Sequence, residues 1–126
     1  YGLTKKVIFL GWVRNKTEFF NQIDIYIQPC PKESFGMTIL EAFNYQTPVI
    51  ACNAFGPKEI IKNDYSGYLF DPKDEESLFL TMKKSYLQKD QSQKIAKNAN
   101  QELKEKFSHQ IMEKQLLEFI QKPINN

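Results

Sequence analysis

The sequence has little of the chemistry that metal and redox sites use. It contains two cysteines and one histidine among 126 residues. Cys30 and Cys52 form no Cys-x-x-Cys pair and have no histidine close in sequence, which favours two small buried thiols in a reducing compartment. A disulfide between neighbouring strand ends stays geometrically open. His109 follows Ser108 at a predicted helix start, which favours a surface or capping residue over a catalyst.

Strong charge and long apolar runs are also scarce. A net charge of +2, with 17 basic residues spread mainly over the C-terminal helices, argues against an extended nucleic-acid surface. No apolar run is long enough to span a bilayer. No Asp-x-Asp or other carboxylate pair at metal-bridging spacing stands in the central loops, and a turn and a helix cap account for Asp71 and Asp74. We therefore expect no bound metal.

What the sequence does have is an alternation of apolar strands and amphipathic helices. With 126 residues, 41% of them hydrophobic, it can form one domain with a modest core. The chain begins with Tyr1 rather than Met, so we expect it to be a piece of a longer protein. Alternating strands and helices predict a Rossmann-like α/β fold, with a mostly parallel sheet and helices on both faces. The predicted strands are 7–10, 24–28, 48–52 and 68–70.

Helix starts and apolar stripes can be placed from capping residues and periodicity. Asn15 and Glu18 have the spacing of a capping box, and Asp74 caps a later helix whose apolar stripe is Leu78, Met82 and Tyr86. Further helices are predicted to begin near Gly36 or Met37, at Pro57 with Glu59 in the first turn, near Asp90, and after Ser108 with the stripe Met112, Leu116 and Phe119.

The stretch 29–43 joins a predicted strand to a predicted helix through a polar loop. A helix N-terminus directly after a strand presents free backbone N–H groups and a positive dipole, which suits a phosphate or another anion. Glu33 lies in the loop and Glu41 on the polar helix face, so both carboxylates can face one crevice and bind sugar or ribose hydroxyls. The spacing alone is weak evidence, because Glu105 and Glu113 share it in solvated helices.

Three blocks in order carry a resemblance to a known family. They are Glu33-Ser-Phe-Gly-Met-Thr-Ile-Leu-Glu41-Ala, Thr47-Pro-Val-Ile-Ala51, and Gly56-Pro-Lys-Glu-Ile-Ile61 followed by Gly67-Tyr-Leu-Phe. Together they resemble the C-terminal, nucleotide-sugar-binding domain of family 4 (group 1) glycosyltransferases with the GT-B fold. The resemblance covers roughly residues 7 to 120 and implies that 1–126 is a single partial domain, without upstream strand-helix units and an acceptor domain.

The resemblance also implies site roles. Glu41 would bind the ribose diol, and Glu33, as the catalytic candidate, would contact the donor sugar. The other donor-binding candidates are the backbone of Phe35, Gly36 and Met37, Thr38 near the phosphates, Gly11, Trp12 and Val13 near the base, and Glu59. For Trp12 a core or interdomain position is an equal alternative, and Glu59 is explained as well by stabilising its own helix.

Some positions depart from the family pattern. Cys30 stands where a serine is common, Gln46 where a glycine usually ends the helix, and Phe55 where the first of two glycines is usual. The arginine and lysine that the family uses for the diphosphate cannot be matched in this sequence.

The function implied by the resemblance is retaining transfer of a hexosyl group from a nucleoside-diphosphate sugar to a glycan or lipid-linked acceptor. No cofactor is expected, and neither is a nucleic-acid partner. The expected location is cytoplasmic, with peripheral membrane association of the full-length protein as an open alternative. A GT-B-like nucleotide-sugar epimerase and a non-catalytic nucleotide-sugar-binding module also remain open. A phosphorylase would need a lysine-bound pyridoxal site, for which the sequence offers no recognisable candidate.

Overall fold

A computed structural model describes residues 2–108, 110–111, 113–114 and 117. Its elements, in chain order, are α1 (Lys16–Gln22), β1 (Tyr26–Gln28), α2 (Met37–Asn44), β2 (Val49–Cys52), α3 (Phe55–Ile60), β3 (Tyr68–Phe70), α4 (Glu75–Leu87) and α5 (Lys89–Lys106). Ser108 accepts a hydrogen bond from the Ile111 N–H at 3.4 Å, as a helix cap would. His109, Met112, Leu116 and Phe119 lie outside the described residues.

The three strands form a parallel sheet in the order β1-β2-β3, which confirms the predicted α/β fold. Tyr26 pairs with Val49, and Ile50 pairs with Tyr68. All four residues of the central strand β2 are buried, because helices cover both of its faces. Such a strand reads as a continuous apolar run in the sequence.

Each face of the sheet has its own core. On the first face, helices α1, α2, α3 and α5 contribute to a cluster that includes Phe20, Ile39, Phe43, Val49, Ala51, Ile60 and Ala99. On the second face, β2, β3 and α5 supply Ile50, Cys52, Tyr68, Phe70 and Ile95. Asn100 of α5 is buried and donates to the Phe43 and Asn44 carbonyls at 3.0 and 3.1 Å, so it satisfies the C-terminus of α2.

The second face is covered less completely than the predicted stripe of α4 requires. Leu78 packs against the core there, but Met82 and Tyr86 are 41% and 63% exposed. Met82 and Tyr86 instead line an apolar trough of about 360 Å³ together with Ile25 and Ile27. The predicted stripe Leu78, Met82 and Tyr86 thus lies on one face of α4, but only its first residue is packed on the core, because α4 leaves the outer part of β1 open.

The prediction of a buried strand at 7–10 was wrong. Val7, Ile8, Phe9 and Leu10 are 49% to 94% exposed, and none of them is in a strand. This segment does not pair with the edge of β1. Among the described residues, its backbone takes part in one hydrogen bond, from the Val7 N–H to the Leu3 carbonyl, which belongs to a turn and is shared with the Lys6 N–H. An apolar run becomes a strand only where a neighbouring strand satisfies its backbone.

Several local predictions have clear outcomes. Asn15 and Asp74 cap α1 and α4 as expected. Gln46 has φ of 53°, the left-handed conformation that a glycine would adopt more easily. Helix α3 begins at Phe55 rather than Pro57, so Glu59 lies beyond its first turn; proline fits anywhere in a first turn because its absent N–H is not needed there.

The two cysteines do not share one environment. Both are free thiols, and Cys52 is buried as expected. Cys30 is exposed, which corrects that half of the prediction. It is exposed because β1 ends at Gln28 and the chain has already entered the loop. Burial raises the pKa of the Cys52 thiol, so this side chain stays protonated and packs as a small apolar group.

A buried carboxylate joins α5 to the turn before β3. Glu102 is only 6% exposed, and its Oε1 lies 2.6 Å from Lys62 Nζ and 2.5 Å from Lys106 Nζ. Burial alone would raise the pKa of Glu102, but hydrogen bonds with Lys106, Lys62 and Ser66 outweigh it and lower the pKa. The charged form is therefore the one that the fold stabilises.

We predict that this cluster makes the fold sensitive to acid. Because the folded pKa of Glu102 lies below its unfolded value of about 4.3, its stabilisation is present above that pH and is lost as the pH falls through the folded pKa. Glu102→Gln should lower the free energy of unfolding at pH 7 by roughly 1 to 2 kcal/mol. This is less than the usual range for hydrogen bonds to a charged group, because both lysine partners are largely exposed and solvent screens their charge. Urea unfolding between pH 3 and 7 measures this.

Glu105→Gln is the matched control, because Glu105 accepts a hydrogen bond from Gln101 on the exposed face of the same helix. It should change stability by less than about 0.5 kcal/mol at any pH. Equal pH dependence of unfolding in wild type and Glu102→Gln would contradict the assignment.

Candidate functional site

Two loops meet where β1 and β2 end, at the carboxyl edge of the sheet. The Gly56 N–H donates to the Glu33 carbonyl at 3.2 Å. A Cβ added to Gly56 would lie 2.5 Å from the Phe35 Cα and from the Ser34 and Phe35 carbonyl oxygens. Glycine therefore allows the loop after β2 to pack directly on the backbone of the loop after β1.

The Glu33 carboxylate is held by its own loop. Its Oε1 accepts hydrogen bonds from the N–H groups of Phe35 and Gly36 at 3.2 and 3.0 Å, and its Oε2 accepts one from Gln28 Nε2 at 3.1 Å. A carboxylate offers about four acceptor positions, so one remains, on Oε2. The Phe35 and Gly36 amides are occupied by Glu33 here, so a sugar or phosphate could reach them only by displacing that carboxylate.

Glu41 lies one turn into α2 and forms an ion pair with Lys16 at the start of α1. Their side chains are 28% and 55% exposed, so the pair borders solvent. A hydrogen bond of 2.8 Å between Thr17 and Tyr45 and the stacking of Phe20 on Tyr45 hold the two helices together. Sequence reasoning did not find Lys16, because no local pattern links positions 25 apart.

Tyr26 lies close enough to Glu33 and Glu41 to be affected by their charges, and it was not predicted from sequence. Its hydroxyl donates to Gln28 Oε1 at 2.6 Å. Burial is the main cause that raises the pKa of its phenol, a hydrogen bond with Thr38 opposes the rise, and the negative charges of Glu33 and Glu41 add to it. Tyr26 faces the same side of the sheet as Gln28, two residues on, so period-two alternation was the signal available in the sequence.

The α2 N-terminus directly follows the loop of Glu33. Gly36 is its N-cap with φ of 100° and has no side chain of its own to cap the helix, although its N–H donates to the Glu33 carboxylate. The N–H groups of Met37 and Thr38, at the first two helical positions, have no carbonyl ahead of them in the helix. These two amides, with the positive end of the dipole, are therefore the donors best placed for an anion.

The other predicted site residues are not brought into this crevice by the described structure. Gly11 has φ of 65° and open space around it, and Trp12 is 89% exposed, which is a surface rather than a core position. Val13 is partly buried and lines a separate cavity beside α1. Glu59 is exposed on α3. Their roles in donor binding stay predictions.

The chemistry available in the crevice is hydrogen bonding and anion binding. Two carboxylates can accept hydrogen bonds from hydroxyl groups, and the Met37 and Thr38 amides of α2 can donate hydrogen bonds to an oxyanion. No group of three or more potential metal ligands occurs among the residues that the structure describes. In the same residues, no helix is both long and apolar enough to cross a bilayer. These features define a Rossmann-like ligand-binding domain whose site lies outside the carboxyl ends of parallel strands.

Comparisons with known proteins identify the family within this class. Residues 1–102 match the family model of group 1 glycosyl transferases, and the chain belongs to that family. A sucrose synthase of Melioribacter roseus is 31% identical over an alignment 128 positions long, gaps included, which covers 93% of this chain and 16% of that enzyme.

Two solved structures are also similar. The C-terminal domain of the group 1 glycosyl transferase LpcC from Francisella tularensis is 31% identical, with a TM-score of 0.75, covering 86% of this chain and 57% of that one. Anabaena Alr3699/HepE in complex with UDP-glucose is 26% identical, with a TM-score of 0.84, covering 94% and 33%. The chain therefore spans between about a sixth and somewhat over half of these proteins.

We predict that the contact between the two loops tolerates no side chain at position 56. Gly56→Ala should lower the free energy of unfolding by about 3 kcal/mol or more, the upper end of the range for overpacking, because the added methyl group meets backbone rather than a flexible side chain. Gly11→Ala is the control: position 11 has open space, so only the cost of its left-handed conformation, about 1 kcal/mol, is expected. Urea unfolding measures both. Equal losses in the two variants would show that the loops do not pack this closely.

Proposed function

We propose that this chain is the donor-binding, C-terminal domain of a longer GT-B glycosyltransferase that transfers a hexosyl group from a nucleoside-diphosphate sugar. The main support is the match to group 1 glycosyl transferases over residues 1–102, in a chain whose loop and helix carboxylates flank an open helix N-terminus. The similarity to HepE, which was solved with UDP-glucose, favours a uridine diphosphate donor. Capsular polysaccharide relatives such as CapM of Staphylococcus aureus favour a glycan or lipid-linked acceptor.

Each group in the crevice has a role that its chemistry suits. Glu41 accepts the two ribose hydroxyls, while Lys16 neutralises part of its charge. The Met37 and Thr38 amides and the α2 dipole bind the diphosphate and stabilise it as it leaves. Glu33 uses the free acceptor position of Oε2 to bind a hydroxyl of the transferred sugar. The anomeric configuration is retained, as the family resemblance implies.

We predict that Glu41 binds the ribose diol. In the intact enzyme, Glu41→Gln should weaken UDP binding by about 1.5 to 3 kcal/mol, the range for hydrogen bonds to a charged group. It should hardly affect 2′,3′-dideoxy-UDP, which lacks the hydroxyls that would donate to the carboxylate. Titration of the intact enzyme with both nucleotides gives the four dissociation constants.

The control variant is Glu76→Gln, which removes a negative charge from the exposed start of α4, away from the crevice. It should leave all these constants within twofold. If Glu41→Gln and wild type lose the same affinity on changing to the dideoxy nucleotide, the ribose assignment is wrong.

We also predict that the 126-residue chain binds UDP-glucose weakly, without a metal, and does not transfer glucose by itself. The arginine and lysine that the family uses for the diphosphate are unmatched, and the chain covers about a third of HepE. A dissociation constant near or above about 1 mM is expected, which corresponds to about 4 kcal/mol. The dissociation constant of UDP-glucose should be the same in the presence of EDTA and in the presence of manganese. Micromolar binding, a dependence on manganese, or glucoside product from this chain would contradict the proposal.

A further inference from the structure

A run of three polar side chains leads from the interior side of β1 to the loop carboxylate. Tyr26 donates to Gln28 Oε1 at 2.6 Å, and Gln28 Nε2 donates to Glu33 Oε2 at 3.1 Å. All three side chains are partly buried, so they exchange these hydrogen bonds for water less readily than surface groups do. Tyr26 and Gln28 point to the same face of the strand because they are two residues apart.

The direction of these hydrogen bonds is fixed by chemistry. The Glu33 carboxylate only accepts, so Gln28 must present its NH₂ group to it. The carbonyl oxygen of Gln28 then faces Tyr26, whose hydroxyl supplies the donor that this oxygen needs. A flipped amide would place the carbonyl oxygen of Gln28 against the carboxylate. Tyr26 therefore holds Gln28 in the orientation in which it holds Glu33.

Glu33 has one acceptor position left for a ligand, and that position is on the oxygen held by Gln28. The other oxygen, Oε1, is already used by the Phe35 and Gly36 amides. The direction in which a sugar hydroxyl can approach Oε2 is consequently set by where Gln28 holds that oxygen. A shift of the carboxylate would change the sugar contact and leave the diphosphate donors, at the α2 N-terminus, in place.

We propose that Tyr26 and Gln28 are positioning residues that orient Glu33 toward the sugar of the donor, and so determine how well the sugar, as distinct from the nucleotide, is bound. The inference rests on the proposed function in naming a nucleotide sugar as the ligand. The hydrogen-bonded chain itself does not depend on that function and has its own test.

The ligand test compares UDP with UDP-glucose in NMR titrations of the 126-residue chain. Tyr26→Phe removes one hydroxyl group and Gln28→Leu removes both hydrogen bonds of the amide at similar size. Each should weaken the binding of UDP-glucose about five- to tenfold or more, while the affinity for UDP stays within twofold of wild type. The proposal is overturned if a variant loses affinity for both ligands to the same extent, or if it loses affinity for neither.

Matched controls remove the same groups elsewhere. Tyr86→Phe changes a tyrosine that is 63% exposed, and Gln101→Leu removes a glutamine that donates to Glu105 at 2.8 Å on the outside of α5. Both should bind UDP and UDP-glucose as wild type does. If Gln101→Leu lowers the affinity for UDP-glucose as much as Gln28→Leu does, the effect does not depend on the contact between Gln28 and Glu33, and the proposal fails.

A second readout needs no ligand. One side-chain amide proton of Gln28 should resonate downfield of those of exposed glutamines and exchange more slowly, because it is bonded to a carboxylate. Tyr26→Phe should move that resonance toward the exposed range, with the thermal unfolding midpoint showing that the variant is folded. An ordinary amide signal for Gln28 in the wild type overturns the inference. If wild type binds neither UDP nor UDP-glucose at ligand concentrations well above the expected dissociation constant of about 1 mM, the proposed function fails, and this spectrum alone decides whether Tyr26 and Gln28 orient Glu33.

Discussion

The geometry of the candidate site depends on how the Glu33 carboxylate is held. Three donors converge on it, two from the loop backbone and one from Gln28. The same residue's carbonyl accepts from Gly56, so Glu33 ties together both loops at the carboxyl edge of the sheet. Removing the carboxylate would leave the partly buried Gly36 amide without a partner, at a cost comparable to a lost hydrogen bond, and would leave the exposed Phe35 amide to water. A structural role and a role in ligand binding are thus combined in one side chain.

The sheet explains why this edge of the molecule is well defined. Strand β2 is buried on both faces and lies between two parallel neighbours, so its register fixes the relative positions of the loops that follow β1 and β2. The trough beside β1 lies on the second face, away from the core cluster that α2 contributes to. Its openness therefore does not loosen the contact between Gly56 and Phe35 that brings the two loops together.

Local signals in the sequence predicted the local structure well. The caps at Asn15 and Asp74, the start of α2 at Met37, the strand Tyr68–Phe70 and the left-handed Gln46 all depend on residues within one turn. The failed prediction of a strand at 7–10 depends on a distant partner, because this apolar run lacks a neighbouring strand among the described residues.

The same distinction applies to the site. The sequence predicted that Glu33 and Glu41 face one crevice, because a strand, a loop and a helix in succession fix their approximate directions. It could not show that Glu33 would use its loop amides, that Lys16 would pair with Glu41, or that Tyr26 would hydrogen-bond to Gln28. Each of these is a side-chain contact formed only when the helices and strands pack. A pattern of residue types does not determine such contacts.

The ion pair between Lys16 and Glu41 has a consequence for any nucleotide that binds here. A carboxylate that accepts the ribose hydroxyls also repels the diphosphate a few bonds away, by about 2 kcal/mol per unit charge at about 8 Å and an effective dielectric constant of about 20. Lys16 offsets part of that repulsion, because its ammonium group is in contact with the carboxylate and carries the opposite charge. The carboxylate keeps its capacity to accept hydrogen bonds, since one of its oxygens is not engaged by the lysine. Helix α1 therefore belongs to the electrostatics of the site as well as to the core that Phe20 completes.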